Sequence, residues 1–261
     1  MPFYQSGPVR YYKFNIFDNP QIYHAIFTRQ GGVSPSPWES LNLGGSVGDE
    51  PARVVNNRRI ALDAIGVELE SLYDVFQVHS SDVIFTHKPR PKEAPYLKAD
   101  AIITDQPNIT LLMRFADCVP ILLFDPVHHG IGIVHAGWKG TVEKIIEKVL
   151  LSMGVKFGSQ PADIFASIGP SIGPDHYTVG AEVVNKIKKT FGHAADSLLL
   201  IDNGAVKFNL WAANQLTLIQ SGVKNIEICE ICTACHLDDW FSHRGENGKT
   251  GRFGAVIGLK Y

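Results

Sequence analysis

The chain has few cysteines, little excess charge and no long apolar run, and each of these features excludes a class of protein. Four cysteines in 261 residues are too few for a disulfide scaffold. A formal net charge of −2 provides no basic surface for nucleic acid or an anionic membrane, so we expect a small-molecule partner. No apolar stretch is long enough to cross a bilayer, and the first residues do not resemble a signal peptide. We therefore expect a cytoplasmic protein.

The remaining composition is typical of one folded domain. At 261 residues and 45% hydrophobic content, the chain can bury a substantial core. It has no Ser/Pro-rich linker, charge block or internal repeat, which predicts a single domain over residues 1–261. Several apolar runs are too continuous for a sheet with one solvated face. We expect an α/β or α+β fold in which helices cover a mixed β-sheet core.

Apolar spacing and turn residues place the secondary structure. An apolar stripe predicts a helix that begins at Thr141 as its cap. The predicted helices are Pro51–Ile65, Thr141–Met153, Ala181–Phe191 and Leu210–Gln220. The predicted strands are Gln21–Phe27, Leu72–Val78, Ile109–Phe115, Ile121–Phe124, Ile131–Val134, Asp163–Ile168, Leu198–Ile201, Asn225–Ile231 and Phe253–Leu259. Two polar, glycine-containing segments, Gly31–Pro51 and Leu237–Gly251, are predicted to be long loops that contact substrate.

One cysteine and two histidines are the clearest candidates for chemistry. His79, Cys118 and His135 each follow a predicted strand directly or closely. If those strands share one sheet, the three side chains can meet at one rim. A thiolate and two imidazoles suit Zn²⁺, and three protein ligands leave the fourth tetrahedral position for water or substrate. The pattern predicts a catalytic metal site, with zinc preferred to copper.

The remaining cysteines lie together in the run NIEICEICTAC, as Cys229, Cys232 and Cys235. An Fe–S cluster or a structural zinc ordinarily needs four ligands, and only His236 is adjacent as a fourth. The run also has the composition of a strand, in which Cys229 and Cys235 would share a face that Cys232 opposes. We expect these thiols to be buried packing residues rather than metal ligands.

Nine blocks along the chain resemble the ordered signature blocks of one family. They are TRQGGVS (28–34), SLNLGGSVGD (40–49), QVHSSDV (77–83), KADAIITD (98–105), ADCVPILLFDP (116–126), HAGWKG (135–140), IGPSIGPDHYTVG (168–180), CTAC (232–235) and FSHRGENGKTGRFGAVI (241–257). By these blocks the chain resembles the laccase-domain family, first labelled multicopper polyphenol oxidases and described as zinc-dependent purine nucleoside phosphorylases that also deaminate adenosine. The resemblance implies that His79, Cys118 and His135 hold the metal.

The implied phosphorolysis requires cations beside the substrate. Inorganic phosphate replaces the base at the ribose anomeric carbon through an oxocarbenium-like transition state, so negative charge must be held next to the sugar. Arg29 and Arg244 are expected to bind that anion because of the resemblance and of their places beside glycines. Lys139 is expected to assist at a predicted turn before a helix.

Four further residues are candidates for the same site. Asp117, directly before Cys118, is expected to act as acid–base partner or to hold a ligand's orientation, with a turn cap as the alternative. Asn42, Gln77 and His243 are the expected substrate contacts. The expected substrates are adenosine, inosine, guanosine or methylthioadenosine together with inorganic phosphate.

Other function classes remain open at this point. Two histidines and a cysteine are also the ligands of blue copper, which would fit a copper-dependent polyphenol oxidase. Against copper, the sequence has no His-x-His pair for a copper cluster, and its three methionines have no axial-ligand context. A metal-free Cys118/His135 pair would make a thiol hydrolase. A binding module with a purely structural zinc is the last alternative.

Overall fold

The computed structural model describes residues 2–260, which form fourteen β-strands and six α-helices. The strands are β1 (Phe3–Ser6), β2 (Val9–Tyr12), β3 (Ile22–Phe27), β4 (Leu72–Asp74), β5 (Val83–Phe85), β6 (Ala101–Thr104), β7 (Thr110–Phe115), β8 (Val119–Asp125), β9 (Gly130–Ala136), β10 (Phe165–Ile168), β11 (Leu199–Asp202), β12 (Ala205–Phe208), β13 (Asn225–Ile228) and β14 (Phe253–Leu259). The helices are α1 (Pro51–Asp63), α2 (Trp138–Val142), α3 (Ile145–Phe157), α4 (Ala181–Phe191), α5 (Ala195–Leu198) and α6 (Leu210–Gln220).

Twelve of these strands form two six-stranded sheets. The first sheet has the order β1-β2-β3-β14-β7-β4 and the second the order β13-β10-β8-β9-β6-β5, while β11 and β12 form a separate hairpin. Both sheets are mixed, because β4 runs parallel to β7 and β5 to β6 whereas the central strands pair antiparallel. The predicted α/β architecture, with a mixed sheet core covered by helices, is confirmed.

The two sheets pack face to face and carry helices on their outer faces. Successive residues of β8 alternate between these environments: Leu122 and Phe124 pack toward the first sheet, whereas Ile121 and Leu123 face the helices. Helices α3, α4 and α6 cover the second sheet, and α1 covers the first. Burial on both faces explains why the strands are continuously apolar.

The predicted helices α1, α4 and α6 are confirmed, but the expectation of one helix over Thr141–Met153 was wrong. The chain forms two helices there, α2 and α3, because Lys144 adopts a left-handed conformation with φ of 61°. Thr141 lies buried inside α2, where its hydroxyl contacts Asn214 Oδ1 at 3.3 Å, and it caps neither helix. None of the helices in residues 2–260 combines the length and apolar character needed to cross a membrane.

Two sequence-based conditions on the strands are not met. The strands preceding His79, Cys118 and His135 do not share one sheet, because β4 and β7 belong to the first sheet and β9 to the second. The run NIEICEICTAC is extended only as far as Ile228, and Glu230 has a left-handed backbone with φ of 52°. The chain turns there, so the cysteines beyond it do not alternate between faces.

Candidate metal centre and active site

His79, Cys118 and His135 come together at one edge of the space between the sheets. One donor atom of each residue lies within 4.8 Å of the other two, and Cys118 Sγ is 3.8 Å from His79 Nε2. A tetrahedral zinc with a bond of about 2.0 Å to nitrogen and about 2.3 Å to sulfur would separate two such donors by about 3.5 Å. The three side chains are therefore placed to share a metal ion, and their donor atoms fit Zn²⁺.

This convergence depends on where the chain passes from one sheet to the other. Cys118 lies on the short connection from β7 to β8, and His79 lies on the connection from β4 to β5. His135 is on β9, and its ring packs against Phe115 at the end of β7, with ring centroids 5.5 Å apart. Two crossovers between sheets and one central strand thus supply the donors, which explains their wide separation along the sequence.

The Asp100 carboxylate holds two of the three donors in place. It lies just before β6, is fully buried, and accepts the backbone N–H of His79 at 3.0 Å and of Ser80 at 2.6 Å. Its Oδ1 is also 2.8 Å from His135 Nδ1. A carboxylate on one ring nitrogen leaves the other nitrogen, Nε2, to face a metal. Asp100 therefore fixes both the His79 loop and the orientation of the His135 ring.

The electrostatic environment of Cys118 favours its thiolate form. Burial by itself would raise the pKa of the Cys118 thiol, but the charges and hydrogen bonds of His135 and His79 outweigh it and lower that pKa to about 6. Burial would lower the pKa of His135, whereas Cys118 and Asp100 raise it to about 9. A thiolate is the form that binds zinc and also the form that attacks as a nucleophile, so this result fits the metal site and the thiol hydrolase alike.

A cavity of about 690 Å³ opens onto the three donors. This volume lies within the range of about 300–1,000 Å³ typical of sites for small molecules. Four aromatic side chains line it: Phe76, Tyr96, Trp138 and Tyr177. Parts of both predicted substrate loops also reach the cavity, through Gly44–Ser46 from the first and through His243 and Arg244 from the second.

Four arginines line the same cavity, and they fall into two pairs. Arg58 and Arg114 bind the buried Asp74 carboxylate at 3.4 Å and 2.6 Å and share it with Arg90 at 2.9 Å, so their guanidinium groups are held in place by that carboxylate. Arg244 and Arg252 instead donate their guanidinium N–H groups to loop carbonyl oxygens within residues 2–260. In residues 2–260 the guanidinium groups of this second pair are bound to carbonyl oxygens and not to a carboxylate, which makes it the pair suited to an anionic ligand.

Three of the residues predicted for the site are not among the described residues that line the cavity. The Arg29 guanidinium pairs with Glu246 at 3.0 Å and packs on a neighbouring aromatic ring. Lys139 is half exposed with its Nζ 3.9 Å from Glu143. Asn42 is fully buried and its amide serves backbone and carboxylate partners in its own loop. The structure does not bring these three side chains to the metal centre.

Asp117 lines the cavity, and its carboxylate is occupied by hydrogen bonds. It accepts the hydroxyl of Thr233 at 2.7 Å, the hydroxyl of Ser242 at 2.6 Å and the backbone N–H of Arg244 at 2.6 Å. Its backbone is left-handed, with φ of 83°, which places the neighbouring Cys118 at the tight crossover. These contacts tie the loop that carries Arg244 to the metal centre.

Gln77 and His243 also line the cavity, as predicted for substrate contacts. The Gln77 amide, however, is paired with the backbone of Arg114, donating at 2.7 Å and accepting at 2.9 Å. The observed role of Gln77 is thus to connect the His79 loop to β7. His243 is therefore the better placed of the two side chains to contact a substrate.

Sequence reasoning did not single out Asp100, Arg58 or Arg114. A signal existed for Arg114, because it is the one charge inside the apolar run of β7. Asp100 likewise precedes the fully buried strand β6, where a lone carboxylate requires partners. Arg58 gave no signal, since an arginine on an amphipathic helix is ordinarily solvated.

Comparison with known proteins places the chain in a family. A family model described as "Multi-copper polyphenol oxidoreductase laccase" matches residues 23–260. A relative from Bacillus subtilis named purine nucleoside phosphorylase YlmD is 37% identical over 251 residues, which cover 93% of this chain and 90% of that protein. A purine nucleoside phosphorylase from Bacteroides thetaiotaomicron is 34% identical over 240 residues, covering 88% of this chain and 89% of that one.

A solved structure agrees with the family match. The crystal structure of YlmD from Geobacillus stearothermophilus superposes with a TM-score of 0.92 at 33% identity, covering 100% of this chain and 99% of that chain. Sequence and fold similarity thus both extend over nearly the full length, and the chain belongs to the multi-copper polyphenol oxidoreductase laccase family.

Proposed function

We propose that this chain is a zinc-dependent purine nucleoside phosphorylase, which converts a purine nucleoside and inorganic phosphate to the free base and ribose 1-phosphate. The observation that carries the proposal is that one cavity joins a three-donor metal centre, two arginines whose guanidinium groups bind carbonyl oxygens rather than a carboxylate, and several aromatic side chains. The names of the relatives support the same reaction class.

In this proposal the two arginines hold the phosphate. Arg244 and Arg252 would place its negative charge beside the ribose anomeric carbon, where the transition state develops positive charge. The glycosidic bond breaks, its electron pair stays with the purine, and a phosphate oxygen forms the new bond to the sugar. The aromatic side chains of the cavity offer faces on which the purine can stack. Asp117 contributes by positioning Arg244 rather than by transferring a proton.

His79, Cys118 and His135 would hold the zinc ion. When bound, Zn²⁺ would supply a Lewis acid at the cavity. Asp100 keeps His135 in the tautomer that presents Nε2. We include adenosine deamination in the proposed function, because the resemblance implies it and an open metal position in the cavity is what such a reaction requires.

A product assay tests the proposed function. Purified, zinc-loaded protein with inosine or adenosine and phosphate should release free base and ribose 1-phosphate in equal amounts, and little base should appear without phosphate. Ammonia released from adenosine measures the deaminase activity separately. Failure to release base from adenosine, inosine, guanosine and methylthioadenosine would contradict the phosphorylase, and oxidation of a polyphenol by copper-loaded protein would favour the oxidase.

The Arg252→Gln variant is expected to raise the KM for phosphate about 10- to 100-fold, because a charge-assisted hydrogen bond contributes about 1.5–3 kcal/mol. The KM for the nucleoside should change much less. Lys139→Gln is the matched control, since Lys139 is half exposed and does not line the cavity. Steady-state kinetics with each substrate varied in turn gives the answer. A larger phosphate effect in Lys139→Gln than in Arg252→Gln would reverse the assignment.

A further inference from the structure

A second cluster of metal-binding side chains lies apart from the cavity. Asp175, His176, Cys232 and Cys235 each offer one donor atom, and these atoms all lie within 4.8 Å of one another. His176 Nδ1 is 3.7 Å from Cys232 Sγ and 3.5 Å from Cys235 Sγ. It is also 3.0 Å from Asp175 Oδ2, which is itself 3.6 Å from Cys235 Sγ. We propose that these four residues form a second zinc site, with a closed shell of protein ligands.

The distances of four of the six donor pairs agree with the edges of a zinc tetrahedron. With bonds of about 2.0 Å to nitrogen and oxygen and about 2.3 Å to sulfur, neighbouring donors are about 3.5 Å apart for nitrogen–sulfur and oxygen–sulfur pairs and about 3.3 Å apart for nitrogen–oxygen. The observed values of 3.5–3.7 Å to sulfur and 3.0 Å between His176 and Asp175 follow this pattern. A Cys-x-x-Cys pair with a histidine and a carboxylate is also a donor set suited to zinc.

The backbone brings the two halves of the cluster together. Ser171 forms an isolated parallel bridge with Cys232, which places the segments side by side. A Cβ atom at Gly173 would lie 2.6 Å from Asp175 Oδ1 and 3.1 Å from Cys232 Sγ, so a side chain there would displace both of these groups. The Gly173 N–H donates to Cys232 Sγ at 3.2 Å, a contact that supports a metal-bound thiolate.

Of the two other candidates in this part of the sequence, Cys229 and His236, neither belongs to the cluster. Cys229 packs against the core between the sheets, and burial raises the pKa of its thiol to about 12. Of the three cysteines expected to be buried packing residues, Cys229 is the one that fits this role. Cys232 and Cys235 instead face His176, in the segment after β10. A single strand over NIEICEICTAC would not indicate this contact.

The second zinc would fasten one wall of the cavity without contacting substrate. His176 directly precedes Tyr177, which lines the cavity. The Arg244 guanidinium donates to the carbonyl oxygens of His176 and Thr178, at 3.2 Å each. Thr233, between the two cysteines, donates to Asp117. Zinc at this site would thus order the segment that orients Tyr177 and Arg244.

Zinc stoichiometry tests this inference without any activity measurement, so its outcome is independent of the proposed reaction. Purified wild-type protein, dialysed and analysed by elemental analysis, should hold about two zinc ions per chain. Cys235→Ala and Asp175→Asn alter exposed ligands, and each should hold about one. Cys118→Ala should also hold about one, and Cys118→Ala/Cys235→Ala should hold none. Cys229→Ala is the matched cysteine control and should keep both.

A second measurement, amide hydrogen exchange, follows the protein backbone near the site instead of the zinc content. Amide hydrogen exchange in residues 173–178 should become faster in Cys235→Ala and in Asp175→Asn, and it should stay unchanged in Cys229→Ala. One zinc per wild-type chain, with no loss in Cys235→Ala, would overturn the site. Thiol titration that finds Cys232 and Cys235 joined as a disulfide in freshly purified protein, with only one zinc bound, would likewise overturn it in favour of a redox pair.

Discussion

The His79→Asn variant is expected to lose one zinc ion per chain and to show at least about a 10³-fold loss of phosphorolysis, while keeping its fold. A bound metal contributes several kcal/mol to transition-state stabilisation, and each 1.4 kcal/mol corresponds to about a factor of ten in rate. His79 is the exposed member of the ligand set, so its replacement opens no cavity in the core. Asparagine tolerates the left-handed backbone at this position, where φ is 57°.

Three measurements on the same preparation check this prediction: elemental analysis, the nucleoside-plus-phosphate assay, and thermal unfolding. His193→Asn is the matched control, because His193 is an exposed histidine on the helical side of the molecule. It should keep full activity and metal content. Retention of activity in His79→Asn without metal, together with inactivation by alkylation of Cys118, would contradict the zinc enzyme and favour the thiol hydrolase.

The metal donors could be predicted from the sequence because each lies in a distinctive block after an apolar run. The spacing of apolar residues, however, does not show to which of the two sheets each strand belongs. An apolar strand buried on both faces has the same pattern in either sheet, so the pattern does not show that β7 and β9 lie in different sheets. The predicted convergence of the donors thus agrees with the structure, but through crossovers between two sheets rather than along one rim.

The cations of the site were harder to predict, because their roles depend on partners far away in sequence. Arg29 stands beside glycines in a family block, yet its guanidinium is held by Glu246, 217 residues further along the chain. Arg252, a cavity arginine whose guanidinium binds carbonyl oxygens, has an ordinary sequence context directly before β14. The local sequence shows where an arginine stands in the chain, but the tertiary fold decides which groups its guanidinium contacts.

The Asp100→Asn variant is expected to bind zinc about 10- to 100-fold more weakly at the centre formed by His79, Cys118 and His135, the loss typical of removing a carboxylate behind a histidine ligand. Burial alone would raise the pKa of Asp100, but hydrogen bonds and charge from His135, together with Ser80, lower it to about 2. The group is therefore a carboxylate at neutral pH. An amide has only one acceptor oxygen and cannot serve all of these donors.

Stability should fall as well, by about 1–3 kcal/mol, because buried N–H groups of the His79 loop would lose their acceptor. Titration against a competing zinc chelator, in a Cys235→Ala background that leaves only the first centre, measures the affinity, and denaturant unfolding of the metal-free protein measures the stability. Asp105→Asn is the control, since Asp105 follows the other end of β6 and accepts from its neighbour Gln106 at 2.6 Å.

The two effects of Asp100→Asn separate its roles. A carboxylate that only ties the loop to β6 would lower stability and leave zinc affinity unchanged in the folded protein. A carboxylate that also orients His135 must lower both, because the imidazole then loses the partner that holds Nε2 toward the metal. Unchanged affinity in folded Asp100→Asn would therefore reduce Asp100 to a structural residue, and a weakened site with normal stability would show that the loop is held by other contacts.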